Sequence, residues 1–419
     1  MTMPSLAAEL QKIRTSRLAR NAGWMLVGQG LSFVLQAAYF VLLARLLGVR
    51  EYGVFAGAFA FAGIAMAYST LGSGLIFMRY VRAEPTSFAA YWGNIILSTV
   101  SAGTVLTVVL YLIAPHLLDP ASASIVIPVA IGNCIFGQLV ASMGFVFQTF
   151  ELLRMTATLN LLTNALRLLA VGILASLMPH ASARQWAIAS AYVSLLAAVT
   201  GFLIVTKRFG RPKFVPRLLL SNAIEGLGFS LGWSAQSLYN DVDKTLLSHY
   251  GMNFQNGVYT MAYRIVDIAN MPITALDAAV LPRYFRNANE NIRSVRPLAV
   301  KLATRASAVG FLMSGILFFT APLIPHLVGS GFKESILALR WLCLLPAMRG
   351  MHQLTGAAIT AMGFQRFRTI TQLSAATLNL ALNLWLIPQH GWLGAAWASL
   401  ATDGSLGVAN WMLLRRLSK

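Results

Sequence analysis

Twelve stretches of twenty or more mostly apolar residues follow one another along this chain. They lie near 22–44, 53–76, 91–114, 123–148, 156–178, 186–206, 223–250, 256–282, 302–325, 335–362, 367–388 and 392–414. A helix rising about 1.5 Å per residue needs roughly 20 such residues to cross the hydrocarbon core of a bilayer. That core holds no water to satisfy a backbone N–H or C=O, so each stretch is predicted as a helix. The expected fold is all-α, a polytopic membrane protein of about twelve spans. Composition agrees: 57% of the residues are apolar and only 11% are charged, against about a quarter in soluble domains. The first stretch is longer than the apolar core of a cleaved signal and is read as a retained helix. Cys134 and Cys343 fall inside apolar runs and read as packing residues, and no CxxC spacing exists.

The chain carries a net charge of +19, which on a soluble protein would suggest nucleic acid. Here the cations sit in short gaps between apolar stretches, where cytoplasmic loops collect Lys and Arg. With the N-terminus placed in the cytoplasm, 23 of the 32 cations fall on that side, from Lys12 and Arg14 through to Lys419. Only five (Arg45, Arg50, Arg184, Lys333 and Arg340) fall outside, and Arg167, Lys244, Arg264 and Arg349 fall within helices. This bias orients the chain with both termini cytoplasmic and excludes nucleic acid as the partner. The longest polar stretches are 207–222 and about 283–301. The expected organisation is an N-terminal six-helix lobe over 1–206, a basic cytoplasmic linker over 207–222, and a C-terminal six-helix lobe over 223–419. The linker mixes cations with aromatics from Arg208 to Arg217 and suits an interface with anionic headgroups.

An internal repeat supports two lobes. Met143-Gly-Phe145, followed by Ala157-Thr-Leu-Asn160 and Asn164, recurs without a gap as Met362-Gly-Phe364, Ala376-Thr-Leu-Asn379 and Asn383, an offset of 219. Weaker echoes pair Pro115-His116 with Pro325-His326 (offset 210) and Gly53-Val-Phe55 with Gly257-Val-Tyr259 (offset 204). Each offset carries a helix onto the one six places later, so the halves are expected to run parallel, a transporter plan.

Charges inside spanning helices are costly and face a cavity or a partner. Arg167, Lys244, Arg264 and Arg349 are the candidate substrate-binding cations of a central cavity. Phosphate is the natural ligand, because the guanidinium fork matches its oxygens. Asp241 with Lys244, and Arg264 with Asp267, stand three residues apart on one helix face, so internal ion pairing is the competing reading for those four. Arg167 and Arg349 have no helix-local acid. Asp277 reads as a solvated interface residue. The pairs Asn160/Asn164 and Asn379/Asn383 suit helix-to-helix hydrogen bonding. Alternatively, Asn379, Asn383, Asp243, Thr402 and Asp403 form a sodium site if their helices meet. His116, His180, His249, His326 and His390 fall near outer helix ends and read as interfacial.

No GxSxG, Walker loop or HExxH occurs, so no catalytic residue and no cofactor is expected. Transport energy then comes from a gradient, with sodium or proton coupling as the candidates.

The stretch Ala44-Arg-Leu-Leu-Gly-Val-Arg-Glu-Tyr-Gly-Val-Phe55, with Asp243-Lys-Thr-Leu-Leu247 and Gly257-Val-Tyr-Thr-Met-Ala-Tyr-Arg264, resembles the polysaccharide-biosynthesis flippases. These belong to the multidrug/oligosaccharidyl-lipid/polysaccharide exporter superfamily, and the resemblance spans essentially the whole chain. It implies a V-shaped pair of six-helix lobes in a bacterial inner membrane. It also implies an undecaprenyl-pyrophosphate-linked oligosaccharide, of the O-antigen or exopolysaccharide kind, turned from the cytoplasmic to the periplasmic leaflet by alternating access. The implied partners are the bilayer, that glycan lipid, and the glycosyltransferases and glycan polymerase that make and use it. The family's second-lobe sodium site is similar to the Asn379/Asn383 set. An ion-coupled exporter of cationic drugs, using Asp243 and Asp403, is the alternative.

Overall fold

A computed structural model describes Arg17–Leu417. Lys12, Arg14 and Lys419, and with them the chain ends assigned to the cytoplasm, lie outside the described residues. Within these limits every long element is a helix and no strand occurs. Helices of eight residues or more are α1 Arg17–Met66, α2 Ser73–Ala83, α3 Phe88–Leu117, α4 Gln138–Thr149, α5 Leu153–Leu177, α6 Ala183–Phe209 and α7 Pro216–His249. They continue as α8 Asn253–Glu290, α9 Ile292–Thr320, α10 Ser335–Leu342, α11 Leu345–Ala361, α12 Gln365–His390 and α13 Trp392–Leu417. All twelve predicted stretches overlap helix, and eight described stretches are long and apolar enough to cross a membrane.

The boundaries depart from the apolar runs where helix continues through polar sequence. The polar stretch near 283–301 is helical except at Asn291, where α8 stops and the Asn291 side chain accepts from the Arg293 N–H to start α9. The 207–222 linker is likewise mostly helix. Only 210–215 is irregular, and the Lys213 N–H is tied to the Ala89 carbonyl at 2.7 Å. Two predicted spans merge in α1, which turns sharply at Gly48 with φ 69° and ψ 171°, a conformation glycine adopts freely.

The described chain divides into two compact units. One holds the residues up to Leu46, Ala65–Leu112 and Ile125–Leu231; the other holds Leu47–Ile64, Ile113–Ser124 and the residues from Gly232 onward. The first is centred on Phe77, Trp92, Met143, Phe147 and Leu159 of α2 to α5, together with Ala197 and Val205 of α6. The second is centred on Ile273, Tyr284, Ala299, Ala303, Ala306, Leu354 and Ala358 of α8, α9 and α11. Small residues let α9 and α11 approach closely, as lipid-embedded helices require. A Cβ on Gly310 would sit 2.5 Å from the Ala347 Cα, and one on Gly350 would sit 2.8 Å from the Ala306 carbonyl carbon. In the same unit Gly53 and Gly257, the pair of the 204-residue echo, cross without side chains: a Cβ on either would run into backbone of the other's helix. Asp119 buttresses this corner by accepting from Ser248 Oγ and Asn253 Nδ2, each at 2.9 Å. Burial raises its carboxyl pKa, but those bonds and the Ser122 and Ala121 contacts outweigh it and hold the group below the usual carboxylate range. Leu112, Ile173, Leu177, Tyr192, Phe319 and Trp385 project outward and exposed, a surface suited to lipid.

Helix ends correct the register of the repeat. Met143-Gly-Phe145 lies inside α4, whereas Met362-Gly-Phe364 forms the turn after α11, with Gly363 at φ 88°. Thr149 and Ala361 end α4 and α11, and Leu153 and Gln365 start α5 and α12, so the structural offset is 212. The gap-free sequence match at 219 is displaced by seven residues, about two helical turns. Such a slip preserves the helix face, so two similar apolar faces align well in the wrong register. The counterpart of Asn379 is therefore Arg167, and that of Asn160 is Gln372.

Candidate functional site

Each unit holds a polar cavity, and the same helices of the two halves line both. In the first unit a cavity of about 320 Å³ is bounded by Ser32 and Gln36 of α1, Val140 and Ala141 of α4, Asn160, Thr163, Asn164 and Arg167 of α5, and Ser194 of α6. In the second, a smaller one of about 80 Å³ is bounded by Tyr239 of α7, His352 and Gln353 of α11, Arg368, Gln372 and Ala375 of α12, and Leu406 and Asn410 of α13. At the 212 offset, Val140 corresponds to His352, Ala141 to Gln353, Asn160 to Gln372 and Thr163 to Ala375. With Ser194 and Leu406, five lining pairs share one offset and identify these as corresponding sites with different chemistry.

Arg167 is the sole charged residue lining the first cavity. It is partly buried, and no carboxylate lies among the lining. Asn164 donates from Nδ2 to Ser32 Oγ at 2.5 Å, the expected helix-to-helix role. A guanidinium in a neutral polar cavity keeps its donors available for an anion.

The other candidate cations are held differently. Arg349 of α11 is buried and surrounded: Nη1 donates to Asp267 Oδ1 at 3.0 Å, Nη2 donates to Tyr263 Oη at 2.6 Å, and Nε lies 3.6 Å from Asp403 Oδ2. The sequence offered Arg349 no helix-local acid; α8 and α13 supply two. Lys244 of α7 pairs with Asp241 at 3.2 Å and Asp243 at 3.4 Å, and donates to the Asn240 carbonyl. The internal-pairing reading thus describes Lys244. Tyr263 joins the two groups, with Lys244 Nζ 4.3 Å and Arg349 Cζ 5.2 Å from its ring centre. Arg264 lies over the Phe59 ring at 5.8 Å, and Asp267 accepts from Arg349.

Of the sodium set, Asn379, Asn383 and Thr402 come together. Asn379 Nδ2 donates to Thr402 Oγ1 at 3.2 Å, and Asn383 Nδ2 donates to Asn379 Oδ1 at 2.9 Å. Asp243 instead accepts from Tyr259 Oη at 2.5 Å, which also meets Ser399 Oγ at 3.0 Å. Asp403 lies against Arg349 and against His352, whose Nε2 is 3.2 Å from Asp403 Oδ1. Among the described residues no cluster of three His, Cys, Asp or Glu side chains is arranged to hold a metal. Asp277, expected at a solvated interface, has a buried Oδ1 without a partner.

Sequence reasoning missed His352, Tyr259 and Tyr263, and it counted Arg368 among loop cations. One signal was available: His352 stands three residues after Arg349, on the same helix face. The tyrosines gave none, since an aromatic in an apolar stretch reads as lipid-facing or core.

The model of a family described as polysaccharide biosynthesis protein matches residues 18–288, well over half of the chain. No curated protein sequence matches. Among solved structures, the lipid II flippase MurJ in an inward closed conformation aligns with a TM-score of 0.76 at 14% identity, covering 93% of this chain and 87% of the other. An inward-facing multidrug resistance MATE family transporter of the MOP superfamily aligns at 0.69 and 16% identity, covering 92% and 95%. A MOP superfamily transporter from Pyrococcus furiosus, described by a reversed polarity of its binding pocket, aligns at 0.59 and 16%, covering 96% of each chain. At these identities the likeness is one of fold: the multi-pass helical fold of the MOP superfamily.

Proposed function

We propose, from the premise that the chain belongs to the polysaccharide biosynthesis protein family, that this transporter flips an undecaprenyl-pyrophosphate-linked oligosaccharide across a bacterial inner membrane. The cargo is an O-antigen or exopolysaccharide unit, and both termini face the cytoplasm. The protein is a membrane exporter or flippase and not an enzyme. The observation that carries the substrate reading is Arg167, alone with neutral polar groups in a cavity of about 320 Å³. At about 30 Å³ per water, that volume takes two linked phosphates together with solvent. A doubly charged headgroup is the component of such a lipid that most resists crossing hydrocarbon, and a fork of donors in a carboxylate-free cavity offsets that cost. The polyprenyl chain stays in lipid while the sugars travel through polar space. The six-helix lobes over 1–206 and 223–419, joined by 207–222, alternate access.

Lys244 and Arg349 contribute differently from Arg167, because carboxylates already neutralise them. They hold α7, α8, α11 and α13 together, with Arg264 at their edge. The sodium or proton that drives the cycle is assigned to Asn379, Asn383 and Thr402 with Asp243 and Asp403. Support comes from Asn383 Oδ1, which is buried without a hydrogen-bond donor.

The test is flipping of a polyprenyl-pyrophosphate-linked oligosaccharide in proteoliposomes by wild type and Arg167→Ala, with and without ion gradients. Loss of flipping in the variant at equal protein level supports the reading; wild-type flipping overturns it. One observation favours a second reading, an exporter of organic cations: Asp241, Asp243, Asp267 and Asp403 outnumber Lys244 and Arg349 in the second unit's network. Efflux of a cationic dye that Asp403→Asn abolishes and Arg167→Ala leaves intact would select it.

A further inference from the structure

The cavity of the second unit has unspent hydrogen-bonding capacity. Buried polar groups in folded proteins nearly always find partners, so an orphan points to something absent. Gln353 Oε1 is buried without a hydrogen-bond partner, while His352 Nε2 faces Asp403 Oδ1 at 3.2 Å. Tyr239 and Gln372 line the same space, and neither makes a side-chain hydrogen bond with another described residue. By contrast, the flanking groups are engaged. Asn410 donates to the His352 carbonyl at 3.1 Å and accepts from Thr371 at 3.2 Å, and Arg368 Nη1 donates to Thr360 Oγ1 at 2.8 Å. The open donors and acceptors therefore belong to two amides and a phenol.

That set selects its ligand. No carboxylate lines the cavity, which disfavours a cation. An uncompensated amide oxygen such as Gln353 Oε1 repels an anion and calls for a donor. Amides and a phenol present donors and acceptors side by side, as vicinal hydroxyl groups do. The cavity of about 80 Å³ holds the equivalent of two to three waters. That is the edge of one sugar ring: two hydroxyls, or an acetamido or hydroxymethyl group. The corresponding cavity in the first unit carries Ala141 where this one has Gln353, and Val140 where this one has His352. Both cavities are lined by an arginine, but Arg368 is tied to Thr360 and the second cavity adds neutral hydrogen-bonding groups beside it.

We propose that the Tyr239–His352–Gln353–Gln372 cavity is a sugar subsite, binding hydroxyl or acetamido groups of a neutral glycan residue, while Arg167 takes the pyrophosphate. The assignment rests on the flippase reading and deepens it by separating glycan selection from anion binding. A site built to hydrogen-bond a hydroxyl discriminates strongly against a ligand that lacks it, because its own groups are then left unpaired.

The experiment measures binding to the full-length protein in nanodiscs of two probes: polyprenyl pyrophosphate carrying one N-acetylhexosamine, and polyprenyl pyrophosphate alone. Wild type is expected to prefer the sugar-bearing probe by roughly 5–10-fold, the scale of one or two net hydrogen bonds. Gln353→Ala and Gln372→Ala should each cut that ratio at least threefold, and Gln372→Asn should keep part of it. Arg167→Ala should weaken both probes together and leave the ratio. Equal binding of both probes by wild type, as expected if the cavity holds water only, overturns the subsite and leaves the pyrophosphate reading standing. A ratio untouched by both glutamine variants does the same. Wild type that binds neither probe overturns the flippase reading and the subsite with it.

Discussion

Asn160 and Gln372 stand at corresponding points of two cavities, yet the cavities treat charge in opposite ways. In the first unit a lone arginine sits among neutral polar groups. In the second unit, Arg368 at the cavity is tied to Thr360, Arg349 is boxed in by Asp267, Asp403 and Tyr263, and the remaining lining is neutral. A buried cation with matched carboxylates has spent its field on its own structure. One without them has its field to give to a ligand. Counting intramembrane cations therefore overstates the substrate site, and what surrounds each one decides its role.

Removal of each arginine is the sharpest way to break this contrast. Arg349→Ala leaves the buried Asp403 without its cation and should cost about 3–5 kcal/mol of stability, read as a fall in thermal midpoint in detergent and in membrane protein level. A midpoint near wild type with export lost would move Arg349 into the substrate site instead. Arg167→Ala should leave the midpoint close to wild type and weaken pyrophosphate-lipid binding by about 10- to 100-fold, the worth of charge-assisted hydrogen bonds. Arg167→Lys should recover part of it, since a point charge lacks the bidentate fork. Asn164→Ala loses the bond to Ser32 and should cost about 0.5–1.5 kcal/mol, with little change in ligand affinity; thermal unfolding beside a binding isotherm checks both. The smallest effect is expected for Gln353→Ala. Its Oε1 has no partner to lose, so the midpoint should stay level or rise slightly, although sugar preference falls. A drop above about 2 kcal/mol would mean that Gln353 is a structural residue.

Much of the site was present in the sequence as residues without relations. The four intramembrane cations and Asp243, Asn379, Asn383, Thr402 and Asp403 were identifiable because polar groups stand out in apolar stretches. Pairing along one helix was legible for Lys244 with Asp241, which a three-residue spacing brings together. Pairing between helices was not: Arg349 meets Asp267 and Asp403 across 82 and 54 residues of chain, and no local pattern encodes that. The repeat failed in register for a related reason. A seven-residue slip returns to the same helix face, so residue similarity alone could not separate offset 219 from 212, and helix ends could.

By itself, the sequence determined that this chain is a bundle of membrane-crossing helices with a strong sidedness of charge. Both follow from the cost of exposing backbone or charge to hydrocarbon, a constraint acting on each segment alone. Only the tertiary structure decided which cations are neutralised, which cavities correspond, and where hydrogen-bonding capacity is left over. Those properties belong to distances between helices, set by the packing of glycine and alanine faces such as Gly310 against Ala347, and no single segment carries them.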